Sequence, residues 1–181
     1  LLARNAKSTF FMTIAQEPDD TTLQNWRTQG FGFGIHPYAS RPDPNPALNI
    51  TNLSEGYSVF SSWYAGRFSS PPSGVVRNHQ VAWQGWTDGA SIAALNGYLM
   101  DMNFYHYGGW LQATDGSWPH GYITGSGQPM KFVAADGSIL PVYQQLTPLV
   151  DEQMVAGDAL EQLTAGQAIS VSQQVIDASL S

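Results

Sequence analysis

Hydrophobic and polar positions along this chain alternate between two periods, and their order predicts strands interleaved with helices. Lys7 to Ile14 (KSTFFMTI) is a short apolar run and reads as a buried strand. Asp19 to Gln29 has helical spacing, with Asp19 or Asp20 as its cap, Leu23 and Trp26 on one face, and Gly30 as its stop. Phe31 to His36 is the next strand. Pro37 to Pro46 holds four prolines and is an irregular loop. Ser54 to Phe68 is an amphipathic helix, with Val59, Phe60, Trp63, Tyr64 and Phe68 at helical spacing. Val75 to His79 is a third strand, and Thr87 to Asn96 a short helix capped by Thr87 and ended by Gly97. In Tyr98 to Tyr105, a fourth strand, alternation puts Asp101, Asn103 and Tyr105 on one face and Met100, Met102 and Phe104 on the other.

Beyond this point the periodicity weakens. The stretch from about 106 to 130 is rich in Gly, Trp and Ser and reads as an irregular excursion. Met130 to Val133 and Ile139 to Tyr143 form two strands joined by Asp136-Gly137, a good hairpin turn. Asp151 to Leu163 has helical character. Thr164-Ala165-Gly166-Gln167 fits a capping box that opens a last helix to Leu180. Strands that alternate with helices tend to lie parallel, and their carboxyl ends then gather at one mouth where chemistry sits. His36 and His79 each close an apolar strand-like run, so they are expected to meet there.

Composition narrows the choice of partner. Only 12% of residues are charged and the net charge is −7, which argues against a sequence-independent grip on nucleic-acid phosphates. No apolar run reaches the roughly 18 residues of a membrane span. Six Trp, eight Tyr and eight Phe in a weakly charged chain suit neutral polar ligands such as carbohydrate, because aromatic rings offer a flat apolar face. The absence of Cys removes disulfides and thiolate metal sites. Asn49-Ile50-Thr51 and Asn52-Leu53-Ser54 are glycosylation triplets, of a kind common by chance. No G-x-S-x-G elbow is present. Thr124-Gly125-Ser126-Gly127 lacks the lysine and helix start of a phosphate loop and reads as a turn.

The ordered set Lys7-Ser8-Thr9-Phe10-Phe11, Trp26…Gly30-Phe31-Gly32-Phe33-Gly34-Ile35-His36, Val76-Arg77-Asn78-His79 with Trp83-Gln84-Gly85-Trp86, and Gly97-Tyr98-Leu99-Met100-Asp101 resembles the polysaccharide deacetylase (NodB-like) superfamily. The resemblance covers about the first 105 residues. The stretch from His79 to Glu152 is similar to large bacterial proteins with a deacetylase-like barrel. It implies an α/β fold, a parallel (β/α) barrel of the deacetylase type, present here as a single domain over residues 1–181 and incomplete at both ends. It implies a hydrolase that removes acyl groups from N-acylated polysaccharide with a divalent, zinc-like metal, in an extracellular or cell-surface setting. The partners expected are carbohydrate and either the remainder of a longer chain or a homo-oligomeric neighbour. Carried over residue by residue, His36, Arg77 and Asp101 have matching positions. The superfamily's His-x-x-x-His pair is broken, because Ser40 follows His36 by four positions.

The candidate chemistry follows from these positions. His36 is a metal ligand, or else a histidine held by backbone hydrogen bonds. His79 is a second ligand or an acid. Asp101 is a base or a third ligand, and Arg77 orients that carboxylate or forms a plain ion pair with it. Trp83, Trp86 and Tyr105 are sugar platforms or core packing. His106 and His120 read as surface or lid residues, and the methionines as core filler. The alternative to an enzyme is a catalytically degenerate extracellular module that binds glycan or builds an assembly, and Ser40 favours it.

Overall fold

A computed structural model describes residues 7–14, 18–38, 50–68, 71–79, 82–83, 85–104, 128–147, 154–155 and 162–180. Ser40, Tyr105, His106, His120, the Thr124–Gly127 turn and most of the 106–130 excursion lie outside these residues, as does most of the helix expected over 151–163. The chain divides into two compact units, Leu1–Asn103 with Lys131–Gln144, and Phe104–Met130 with Gln145–Ser181.

The first unit is α/β. Its strands are β1 (Thr9–Met12), β2 (Gly32–Ile35), β3 (Val75–Val76), β4 (Met100–Asp101), β5 (Met130–Val133) and β6 (Ile139–Gln144). β1 pairs with β2 in parallel, Thr9 facing Gly32 and Met12 facing Ile35. A second ladder runs β3-β4-β6-β5, with β3, β4 and β6 parallel. Backbone bonds join the two ladders: Ser73 N–H donates to the Phe33 carbonyl (2.7 Å) and His79 N–H to the Pro37 carbonyl (2.9 Å). Both residue numbers rise together across these two bonds, as they do in a parallel pair. The ends of β2, β3 and β4 therefore emerge on the same side. β5 and β6 are joined by five residues, far fewer than a parallel crossover requires, so they form a hairpin. The Asp136-Gly137 turn closes it, with Gly137 at φ 84° and Ala134 N–H donating to the Ser138 carbonyl. Among the described residues the strands do not close into a barrel.

Three helices pack on these strands: α1 (Asp20–Thr28), α2 (Leu53–Phe68) and α3 (Asp88–Leu95). Asp19 caps α1, accepting a bond from Thr22 N–H (3.0 Å), and Gly30 at φ 82° ends it. At α2 the cap is Asn52, whose Oδ1 accepts from Glu55 N–H (2.9 Å) while Glu55 reaches back to Thr51. Thr87 stands at the start of α3, but its side chain makes no capping bond, contrary to expectation. Leu53, Tyr57, Phe60 and Tyr64 of α2 are buried with Ile35, Val76, Ala90, Ala93 and Val142. Burying each large side chain contributes about 1.5–3 kcal/mol, so α2 is the main brace of this core.

The second unit contains α4 (Ala165–Leu180). The predicted capping box opens it: Thr164 N–H donates to Gln167 Oε1 (2.9 Å) and Gln167 N–H to Thr164 Oγ1 (3.3 Å). No helix among the described residues is long and apolar enough to cross a membrane.

Candidate functional site at the strand ends

β3 and β4 are shorter than their periodicity predicts, and the reason lies in the site. A continuing parallel ladder would follow the bond from Met102 N–H to the Val76 carbonyl (2.9 Å) with one from Asn78 N–H to the Met102 carbonyl. Instead Asn78 N–H donates to Asn103 Oδ1 at 2.6 Å. The Met102 carbonyl takes a long bond from Arg77 Nη1 (3.4 Å). Side chains replace backbone just where the strands end, and the chain is freed to turn.

Two histidines meet in that turn. His36 follows β2 and His79 follows β3, 43 positions later, and His36 Nε2 lies 3.3 Å from His79 Nδ1 with the rings nearly perpendicular. On its other side, His36 Nδ1 lies 2.7 Å from the Arg77 carbonyl. A carbonyl can only accept, so Nδ1 carries the hydrogen. Burial, together with the nearby His79 and Arg77 charges, lowers the His36 pKa to about 4, so the ring is neutral near pH 7. Its Nε2 then offers a lone pair, and His79 Nδ1–H donates to it. The Tyr38 ring packs edge-on against His79, with centroids 4.8 Å apart.

Behind the pair lies a buried polar chain. Asp101 and Asn103 are fully buried and Asn78 is 1% exposed. Asp101 Oδ1 accepts from Asn103 N–H (2.9 Å) and Oδ2 from Asn103 Nδ2 (2.6 Å). Tyr57 donates its hydroxyl to Asn78 Oδ1 (3.0 Å), and Asn78 Nδ2 donates to the Ala82 carbonyl (2.8 Å). Burial raises the Asp101 pKa to about 6, partly offset by the Asn103 bonds and the Arg77 charge. Burial also pushes the Tyr57 hydroxyl well above its ordinary range.

The structure thus brings His36, His79 and the Arg77 backbone together and sets Asp101 behind them, with both of its oxygens turned to Asn103. Arg77 acts on Asp101 through its charge, and its guanidinium bonds the Met102 carbonyl. Trp83 is half-buried and stacks on Phe132, centroids 5.6 Å apart, with Gly89 against its ring. Trp86 is 73% exposed, anchored by its indole N–H to the Val133 carbonyl (2.9 Å). Tyr105 lies outside the described residues. Sequence reasoning missed Asn78 and Tyr57 as members of the site and gave Asn103 only a strand face. The signal available for Asn103 was its place two residues beyond Asp101, on the same face of the strand expected over Tyr98 to Tyr105.

Among the described residues no group of three or more His, Cys, Asp or Glu side chains is placed to hold a metal ion; His36 and His79 supply two nitrogens. Comparisons with protein-family models, characterised proteins and solved structures return no match.

Proposed function

We propose that this chain is a carbohydrate-active hydrolase domain of the polysaccharide deacetylase type, in which His36 and His79 hold a divalent, zinc-like metal. The observation that carries this reading is the 3.3 Å approach of the two ring nitrogens, with the Nδ1–H of His36 fixed to a backbone carbonyl; to hold a metal there, His79 must carry its hydrogen on Nε2 in place of Nδ1. Two histidine nitrogens on one tetrahedral zinc, each about 2.0–2.1 Å from the metal, stand about 3.3–3.4 Å apart. Metal-ligating histidines almost always donate their other ring N–H to a carbonyl or carboxylate. The low pKa of His36 adds to this, because a ligating histidine must be neutral.

Bound there, such a metal would supply Lewis acidity toward the carbonyl of an N-acyl group. The chain's own residues do the rest. The Arg77 carbonyl sets the tautomer of His36. Tyr38 supports the His79 ring, and Trp86 offers an exposed aromatic face to a sugar. The third ligand that catalytic zinc requires would come from outside the described residues. The parallel order of β1 with β2 and of β3, β4 and β6 supports a (β/α) barrel of the deacetylase type as the enclosing fold; an extracellular or cell-surface setting follows from the family resemblance alone.

Acetate release from an N-acetylated chitooligosaccharide tests the activity. The full chain is expected to release acetate, chelator to stop it, and added zinc to restore it; His36→Ala is expected to be inactive. A second reading, a degenerate glycan-binding or assembly module, is favoured by the enclosure of Asp101, whose oxygens face Asn103 rather than an open cleft. Glycan-array binding that survives chelator, without acetate release from the zinc-loaded chain, would decide for that module.

A further inference from the structure

We infer that Asp101, Asn103 and Asn78 form a positioning brace for the His36–His79 pair, and that Asp101 is a positioning residue rather than a group that meets substrate. The functional part of this inference rests on the metal-site reading; its geometry does not.

Donor and acceptor polarity gives the brace its direction. Asn78 N–H donates to Asn103 Oδ1, so the amide nitrogen of Asn103 must face the other way, and it donates to Asp101 Oδ2. Asp101 Oδ1 accepts from Asn103 N–H. Both Asp101 contacts use it as an acceptor, which suits an ionised carboxylate. Flipping the Asn103 amide would set two oxygens together at one end and two N–H donors at the other. The chain of bonds therefore has one consistent direction, and all three side chains are buried, where a mismatched polar pair is expensive.

What this direction fixes is the loop that carries His79. Asn78 is held at its N–H by Asn103, at Oδ1 by Tyr57 and at Nδ2 by the Ala82 carbonyl. Ala82 N–H donates in turn to the His79 carbonyl (3.1 Å). On the other side of Asn78, the Arg77 carbonyl fixes His36. The two residues flanking Asn78 are thus the ones that set the two imidazoles, and Asn78 is set from Asp101 through Asn103.

The test exploits the polarity. Asp101→Asn must set its amide N–H₂ against one of the two Asn103 donors, the backbone N–H or the side-chain amide, and Asn103→Asp puts a carboxylate against Asp101. Made together, the two substitutions restore the direction: the amide introduced at position 101 donates to the carboxylate introduced at position 103, which still accepts from Asn78 N–H. The probe is Zn²⁺ alone, titrated calorimetrically into the full chain. Each single variant is expected to weaken zinc binding about 10- to 100-fold, the usual effect of losing an outer support, and the swap to return it to within about threefold of the parent. Where the parent binds zinc, single variants that bind like it, or a swap no better than the singles, overturn the inference. Hydrogen exchange of the Asn78 and His79 amides in zinc-free protein separates the two layers. Protection lost in the singles and regained in the swap supports the brace even if the parent takes up no zinc, a result that would refute the metal reading alone. Protection unchanged in the singles refutes the brace.

Discussion

At the scale of single residues, the site is governed by burial acting on polar groups that are all partnered. Tyr57 is the clearest case: its ring is fully buried and its hydroxyl donates to Asn78. Tyr57→Phe keeps the ring and leaves an amide oxygen unsatisfied, so it should destabilise the fold by about 1–3 kcal/mol, read by urea unfolding. The titrating pair makes a second prediction. His36 is lowered from 6.5 to about 4 on folding, so its contribution to stability is full above pH 6.5 and is lost as pH falls toward 4. Asp101 is raised from 3.8 to about 6, so its contribution is full below pH 3.8 and is lost as pH rises toward 6. Between pH 4 and 6 the two slopes oppose each other. In zinc-free protein His36→Gln removes one of them, so the variant should gain stability relative to the parent as pH drops through that window. Parallel pH profiles of parent and variant would show that the His36 shift is not real.

At the scale of elements, close approach matters more than propensity. Gly56 lies on α2 where a Cβ would collide with the Tyr38 carbonyl oxygen, and Tyr38 in turn supports His79. Alanine is the better helix former by roughly 1 kcal/mol. Even so, Gly56→Ala should destabilise by about 1–3 kcal/mol through overpacking and should disturb the histidine pair, both measurable by thermal melting and by imidazole NMR shifts. Thr164→Ala, which removes the capping box of α4, should cost about 0.5–2 kcal/mol of helix stability, seen as lost amide protection at Gln167. These features differ in how far the sequence revealed them. The Asp19 cap, the Gly30 stop, the Asp136-Gly137 turn and the Thr164–Gln167 box were legible because each is made by residues close together along the chain. The ends of β3 and β4 were not. Hydrophobic alternation continues past Asp101 through Met102 and Phe104, and the bond that diverts the ladder joins Asn78 to Asn103, 25 positions away.

At the scale of the whole molecule, the parallel arrangement determines what can meet. The meeting of His36 and His79 was readable from strand order alone, since parallel strands deliver their ends to one side. The burial of Asp101 was not, because alternation assigns a face but does not say whether that face looks into a cavity or into a packed polar core. Parallel order also underlies the proposal on which the rest depends, that two histidines from successive strand ends make one metal-binding pair. The decisive experiment is zinc titration of the full chain alongside His36→Ala and His79→Ala. One zinc per chain in the parent and loss of binding in both variants are the expected results. Zinc uptake near zero in the parent, or undiminished in either variant, would contradict the pairing.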